Sequence, residues 1–271
     1  MKDTFSFWMR RNLKDAYSGL ITQDIDFVFI SKQKEFFFFV EEKNSTKARI
    51  SPAQKVIFKL FNDYLCRKEN PKFLGTHLLV VTNENQAKHR LSILIDKINN
   101  NQVSIPIYDI ENDVLNKLWD CKGEPLLKKT EEERSQYRGS VIKNILSLSG
   151  ILNNFSFIDQ IHWIFVNYCT GNFIFLEELT KNSNINEKRK EFITIIDNIF
   201  KDSNSKAINP KSKVKYNYLG YYILKFSNTN PDNSDHIFLN YNEISVDFLI
   251  KTLNLDNNYF IYEYLTKTSG L

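Results

Sequence analysis

Cysteine is scarce and scattered in this sequence: Cys66, Cys121 and Cys169 are the three in 271 residues, and no two form a Cys-x-x-Cys unit. That spacing argues against a disulfide scaffold or a zinc ribbon and points to a reducing compartment. The four histidines, His77, His89, His162 and His236, are equally dispersed and make no metal or triad spacing. Glycine is sparse, with eight residues. None falls into Gly-x-x-x-x-Gly-Lys or Gly-x-Gly-x-x-Gly, which excludes the phosphate loops of ATP-driven translocases and dinucleotide enzymes. No apolar segment follows the first residues, and no run of about eighteen apolar residues occurs, so neither export nor membrane spanning is expected and the chain reads as cytoplasmic. The net charge of +4 and pI near 8.7 leave a mild basic surplus, compatible with a polyanionic partner.

Against these absences stands EFFFFVEEKN, residues 35 to 44, where an unbroken apolar run enters two carboxylates and an ammonium. A run from Phe36 to Val40 without alternation predicts a strand covered on both faces. Side chains alternate along a strand, so Glu41 and Lys43 emerge on one face and Glu42 on the other. Upstream, Phe27 to Ile30 form a second apolar run, and SKQK supplies a turn, which together predict an antiparallel hairpin. With the loop at Gln33-Lys34, or at the four residues Lys32 to Glu35, Asp26 faces Glu41 and Asp24 faces Lys43. With the loop at Ser31 to Lys34, Asp24 faces Glu41 instead. Either register brings two carboxylates to about 5 Å of each other, where they repel unless one is protonated or a cation lies between them. Oxygen donors in that arrangement suit Mg²⁺, which takes one or two carboxylates and completes its octahedron with water and phosphate oxygens.

These residues resemble the PD-(D/E)XK nucleases, with Asp26 in the place of the motif aspartate and Glu41-Glu42-Lys43 in the place of (D/E)-x-K. SPAQKVIFKLFNDYL follows, with Ser51 placed to cap a helix and Pro52 at its first position. Gln54 then lies in the first turn, where many members of that family carry a glutamine near the metal. The order of elements is similar as well. FWMRRNLKDAY is expected as a leading helix, Gly19 to Thr22 is the stretch available for a first strand, HLLVVT (77 to 82) is a parallel strand after a helical crossover, NQAKHRLSILIDKINN is a helix and VSIPIYDI a last strand. The resemblance covers about residues 1 to 120. It implies an α/β restriction-endonuclease-like core, a mixed sheet flanked by helices, with Asp26 and Glu41 holding Mg²⁺ (Mn²⁺ substituting) and Lys43 and Gln54 beside the reacting phosphate.

The length suggests two domains. A core over 1–122 is followed by the charged, Gly- and Pro-containing stretch at 123–140 as linker. Residues 141–271 then offer FSFIDQIHWIFVNYCTG, FLEELTKN and NEKRKEFITIIDNIF at helical spacing, and two strand-like runs, KYNYLGYYILKFS and HIFLN, about the turn-rich NTNPDNSD. Three helices and a hairpin resemble a winged helix, a smaller α+β domain for DNA recognition. Lys188, Arg189 and Lys190 would open its recognition helix, and Lys211, Lys213 and Lys215 would form a basic stripe before the wing. The combined expectation is a Mg²⁺-dependent endonuclease of restriction type acting on double-stranded DNA, with a homodimer as one route to cutting both strands. A structure-specific repair or recombination nuclease, and a DNA-binding regulator that no longer cuts, are the alternatives.

Overall fold

The structure is a computed structural model that describes residues 4–16, 18–33, 35–43, 50–65, 72–81, 83–99, 155–179, 183–203, 206–209 and 212–256. The expected linker at 123–140, the strand expected at VSIPIYDI and Lys211 lie outside the described residues. In chain order the elements are α1 (Phe5–Asn12), β1 (Leu20–Ser31), β2 (Phe36–Lys43), α2 (Pro52–Tyr64), β3 (Phe73–Val80), α3 (Glu84–Asn99), β4 (Phe157–Asn167), β5 (Asn172–Leu179), α4 (Glu187–Lys201), β6 (Asn217–Phe226), a 3₁₀ turn (Pro231–Asn233), β7 (Ile237–Leu239), β8 (Asn242–Glu243) and α5 (Val246–Leu253). The strands make a mixed eight-stranded sheet in the order β3-β2-β1-β4-β5-β6-β7-β8, with helices flanking it, which makes this an α/β protein. Among the described residues no helix is long and apolar enough to cross a membrane.

The residues group into two compact units, Met1–Asp24 with Glu111–Thr130 and His162–Leu271, and Ile25–Ile110 with Glu131–Ile161. The divisions between these units fall inside β1 and β4.

In the unit of residues 25–110, β1 and β2 form the expected antiparallel hairpin, with Phe27 opposite Val40 and Ser31 opposite Phe36. The loop is therefore Lys32 to Glu35, closed by the Glu35 N–H donating to the Lys32 carbonyl at 3.3 Å. The stretch Gly19 to Thr22 yields no separate strand: β1 runs unbroken from Leu20 to Ser31. As its apolar run requires, β2 is covered on both faces. Phe38 stacks on Phe29 at 4.8 Å, in a cluster with Val40, Leu79 and Leu91. Phe39, on the other face, meets Phe61 of α2 at 4.8 Å and Phe73 at 5.7 Å. Each of these fully buried rings stabilises the fold by roughly 1.5–3 kcal/mol. The crossover helix α2 starts where the sequence places it: the Ser51 side chain accepts from the Gln54 N–H while the Gln54 side chain accepts from the Ser51 N–H, with Pro52 first in the helix. The chain then returns as β3, parallel to β2.

The unit of residues 162–271 is a correction to the sequence reading. FSFIDQIHWIFVNYCTG and FLEELTKN form the antiparallel strands β4 and β5 rather than two helices, with Trp163 opposite Leu176. Ile161, Trp163, Ile164, Phe165 and Val166 satisfy helical spacing and also a strand buried on both faces, and their β-branched and aromatic character decides for the strand. One helix, α4, follows, and β6 returns parallel to β5 before pairing with β7. The order of a winged helix, three helices and then a hairpin, is thus absent from the described residues, although KYNYLGYYILKFS and HIFLN do pair, Leu224 opposite Leu239. The core on one face of this unit combines Phe5, Trp8 and Met9 of α1 with Trp163, Phe226 and Leu249. The Trp8 indole donates to Asp232 at 2.6 Å.

The two units share one plan, β-β-α-β, down to an irregularity. In β2–β3 the register jumps between Phe37↔Phe73 and Phe39↔Thr76, and in β5–β6 it jumps between Phe173↔Tyr218 and Phe175↔Tyr221. Both jumps enclose a glycine at positive φ, Gly75 at 96° and Gly220 at 129°, a region open to glycine and strained for other residues.

His77 on β3 supplies a measurable property of this core. Its ring lies edge-on to Phe38 at 5.7 Å and bonds the Leu74 carbonyl oxygen at 2.9 Å. Burial pushes the imidazole down to about 4, only partly opposed by that hydrogen bond. The unfolded chain binds a proton near pH 6.5 and the folded chain does not, so this contribution is intact above 6.5 and is lost as pH falls toward 4, by about 3 kcal/mol. Urea titrations should show stability falling over that window, and His77→Gln should flatten the fall.

Candidate functional site

The register of the first hairpin pairs positions whose numbers sum to 67, as 27 with 40, and one step further it sets Asp26 beside Glu41. Asp24, the other expected partner of Glu41, lies two residues back and takes a 2.6 Å hydrogen bond from the Gln23 amide. The Asp26 carboxylate accepts the Glu42 N–H at 2.8 Å, which ties it to the β2 backbone. Glu41, on the α2 face with Phe37 and Phe39, is fully buried, at 0 % exposure. Its Oε1 accepts from Lys43 Nζ at 2.7 Å and from the Gln54 side-chain amide. Lys43 keeps 16 % of its side chain exposed, and Asp26 is likewise only partly buried.

The capping box explains why Gln54 is available. Its carbonyl oxygen is held by the Ser51 N–H at 3.0 Å, which turns the amide N–H toward Glu41 thirteen residues back. The structure thus brings Glu41, Lys43 and Gln54 into contact and puts Asp26 on the neighbouring strand. Asp26 and Glu41 offer only carboxylate oxygens, a donor set that fits a hard cation such as Mg²⁺ with most of its shell left to water and phosphate. Among the described residues no group of three or more His, Cys, Asp or Glu side chains is arranged around one point.

The basic residues expected to meet DNA divide. Lys188 and Lys190 are exposed on the first turn of α4, and Lys213 and Lys215 are exposed ahead of β6. Arg189 turns inward: its Nε donates to Glu177 Oε1 at 3.0 Å, a second nitrogen donates to Oε2, and the guanidinium lies 4.8 Å from the Phe192 ring centre.

That ion pair stands where Gln54 and Glu41 stand in the other unit, a correspondence that the sequence reading missed. Gln54 and Arg189 are each the third helical residue behind a capping side chain, Ser51 or Asn186. Glu177-Glu178 ends β5 as Glu41-Glu42 ends β2. The β4–β5 register, 163 with 176, sets His162 beside Glu177 as Asp26 is set beside Glu41. Leu179 replaces Lys43. The signal was available in FFFFVEEK and NFIFLEEL, two eight-residue segments in which an apolar run of five or four residues enters Glu-Glu. The chemistry has nevertheless diverged. Glu177, 3 % exposed, is held by Arg189, by the Tyr221 hydroxyl at 3.3 Å and by His162 Nδ1 at 3.4 Å. A bidentate guanidinium fixed by packing fills the space that a lysine and an amide leave adaptable at Glu41.

Two curated proteins of Archaeoglobus fulgidus, both described as uncharacterized, are similar to this chain. One is 50% identical over 139 residues, which is 48% of this chain and 90% of that protein. The other is 47% identical over 132 residues, 44% of this chain and 91% of its own length. No family model matches the sequence, and no solved structure matches it.

Removing the guanidinium leaves a carboxylate buried beside its lost partner. Arg189→Met should lower stability by about 3–5 kcal/mol, and adding Glu177→Gln should restore most of it. Urea unfolding of the two variants checks this. A small loss in the single variant would mean that Glu177 is not held as a buried ion.

Proposed function

We propose, for a chain that belongs to one family with the two Archaeoglobus fulgidus proteins, a Mg²⁺-dependent DNA endonuclease of restriction type whose reacting centre is Asp26, Glu41, Lys43 and Gln54. One observation carries the reading: Glu41 is fully buried at the end of a strand covered on both faces, yet bridged to Lys43 and Gln54 and set beside Asp26. A carboxylate placed there for stability alone is a poor choice, since an apolar residue would cost less. A carboxylate placed there to bind has its partners already oriented.

Asp26 and Glu41 would hold the divalent cation, which when bound supplies Lewis-acid polarisation of a phosphoryl oxygen and a water of lowered pKa. The chain's own groups do the rest. Gln54, locked by Ser51, keeps the Glu41 carboxylate in one orientation. Lys43 exchanges its contact with Glu41 for the incoming phosphodiester, orients the attacking water and stabilises charge that develops on the phosphate oxygens. The Glu42 N–H fixes Asp26. In the other β-β-α-β unit Arg189 fills the place beside Glu177, so the described residues of each chain carry one reacting centre of this kind and cutting of both strands calls for two chains or two successive nicks.

Supercoiled plasmid incubated with the protein should be nicked and then linearised with Mg²⁺ or Mn²⁺, and should survive with Ca²⁺ or EDTA. Glu41→Gln and Lys43→Ala should each lower the rate by about a hundredfold or more while leaving DNA binding within a few-fold. Asp26→Asn should follow Glu41→Gln, whereas Asp24→Asn and Glu42→Gln should cut at near the parent rate. Cleavage that persists in folded Glu41→Gln protein removes this centre.

A further inference from the structure

The unit of residues 162–271 has a cleft of about 430 Å³ at the end of β5, β6 and β7, beside the first turn of α4. Leu179, Ile223 and Phe238 give it apolar walls with Ile185, and Lys190, Lys225 and Tyr241 line it beside Asn184. Its volume falls within the range of ligand sites, roughly 300–1,000 Å³. Leu179 is the residue that stands in the place of Lys43, so the cleft opens where the reacting centre of the other unit would have its lysine.

Tyr241 has no account in the fold. It occupies the two-residue turn between β7 and β8, where Asn240 and Tyr241 both have positive φ, 48° and 69°. Such a turn favours Asn and then Gly. Asn240 follows that preference and anchors the turn, its side chain accepting the Ile223 N–H at 2.8 Å and its own N–H donating to the Ile223 carbonyl at 2.9 Å. Tyr241 contravenes it: a bulky residue holds the strained conformation while its ring stays 73% exposed, outside the core. Strain retained without burial points to a use for the ring at the surface.

The two ammonium groups come from different elements and have weak local holds. Lys190 Nζ meets Glu187 at 2.7 Å, but the Glu187 side chain is 89% exposed, and Lys225 Nζ donates to the Asn184 amide oxygen at 3.2 Å. A simple anion would need no aromatic ring, an apolar ligand would need no lysines, and duplex DNA keeps its base faces stacked away from a side chain. A single strand offers a bare π-face with phosphates on either side.

We propose that this cleft binds a single-stranded nucleic-acid segment, one base stacked on Tyr241 and the adjoining phosphates on Lys190 and Lys225. The class of polymer rests on the nuclease reading above; the place and the contacts rest on the cleft. In this arrangement the unit that holds no cation retains a strand without cutting it.

The test is fluorescence anisotropy of a labelled oligothymidylate in Ca²⁺, with thermal unfolding of each variant. Tyr241→Gly, which relieves the backbone, should fold with an unchanged or higher midpoint and yet bind roughly 5- to 100-fold more weakly, the range for one lost base stack. Replacing Lys190 and Lys225 together by Ala should weaken binding and reduce the slope of log affinity against log salt by about 0.7 per contact. Thymidine monophosphate should compete far less well than the oligomer. Unchanged binding in both variants, a lower unfolding midpoint in Tyr241→Gly, or equal competition by the mononucleotide would each overturn the assignment. The parent protein assayed beside Glu41→Gln separates the two proposals: a parent that binds the oligomer through Tyr241 but never cuts plasmid loses the nuclease reading alone, and a parent whose cutting is lost in Glu41→Gln while its binding is indifferent to Tyr241 loses this one alone.

Discussion

A carboxylate taken out of water must be answered by the protein, and that demand organises both halves of this chain. Glu41 and Glu177 each end a central strand whose two faces are already covered, and neither can turn to solvent. The desolvation of one such ion amounts to several kcal/mol, comparable to the net stability of a domain, so its partners are not optional. The two units meet the demand differently. Glu41 is matched by a partly exposed lysine two residues along its own strand and by an amide, contacts that a ligand can replace. Glu177 is matched by a fork of guanidinium nitrogens packed over Phe192, a hydroxyl and an imidazole, which leave a ligand nothing to displace.

The architecture that delivers these partners is local. A hairpin register sets the residue opposite the carboxylate, and the crossover helix, capped by Ser51 or Asn186, projects its third side chain back over the strand end. The third helical residue and the carboxylate are twelve or thirteen residues apart in sequence, so the whole arrangement belongs to one β-β-α-β unit and can be inherited or duplicated as a piece. Within that piece, Gln54 shares Glu41 with Lys43, whereas Arg189 takes Glu177 with two nitrogens, beside Leu179 and His162 in the places of Lys43 and Asp26.

Much of the first unit was legible in the sequence because its signals were of one kind. The apolar run at Phe36 to Val40 admits a doubly covered strand and little else, and Ser51-Pro52 with Gln54 is a complete helix start. The sequence admits two registers for the hairpin because Lys32 to Glu35 and Ser31 to Lys34 have similar turn chemistry; cross-strand packing of Phe29 on Phe38 decides between them. The second unit misled for a physical reason. Residues 157 to 179 place apolar side chains so densely that the 3.6-residue and two-residue periods both fit, and only partner strands, invisible in one sequence, separate the two. The basic triplet Lys188-Arg189-Lys190 misled in another way. It reads as a patch, whereas helical geometry sends its middle member inward to a carboxylate.

The placement of α1 has a consequence for how the chain is made. Phe5, Trp8 and Met9 are fully buried, yet their partners Trp163, Phe226 and Leu249 emerge from the ribosome more than a hundred and fifty residues later. At usual rates of synthesis the two aromatic rings wait roughly ten to thirty seconds before Trp163 is even polymerised. During that interval residues 25 to 81 can already close most of their own contacts, while the amphipathic first helix remains an adhesive nascent segment. Assembly of this protein is thereby ordered in time by its connectivity: the half bearing the buried Glu41 can begin to consolidate early, and the half bearing Glu177 forms around a first helix whose partners Phe226 and Leu249 are made much later.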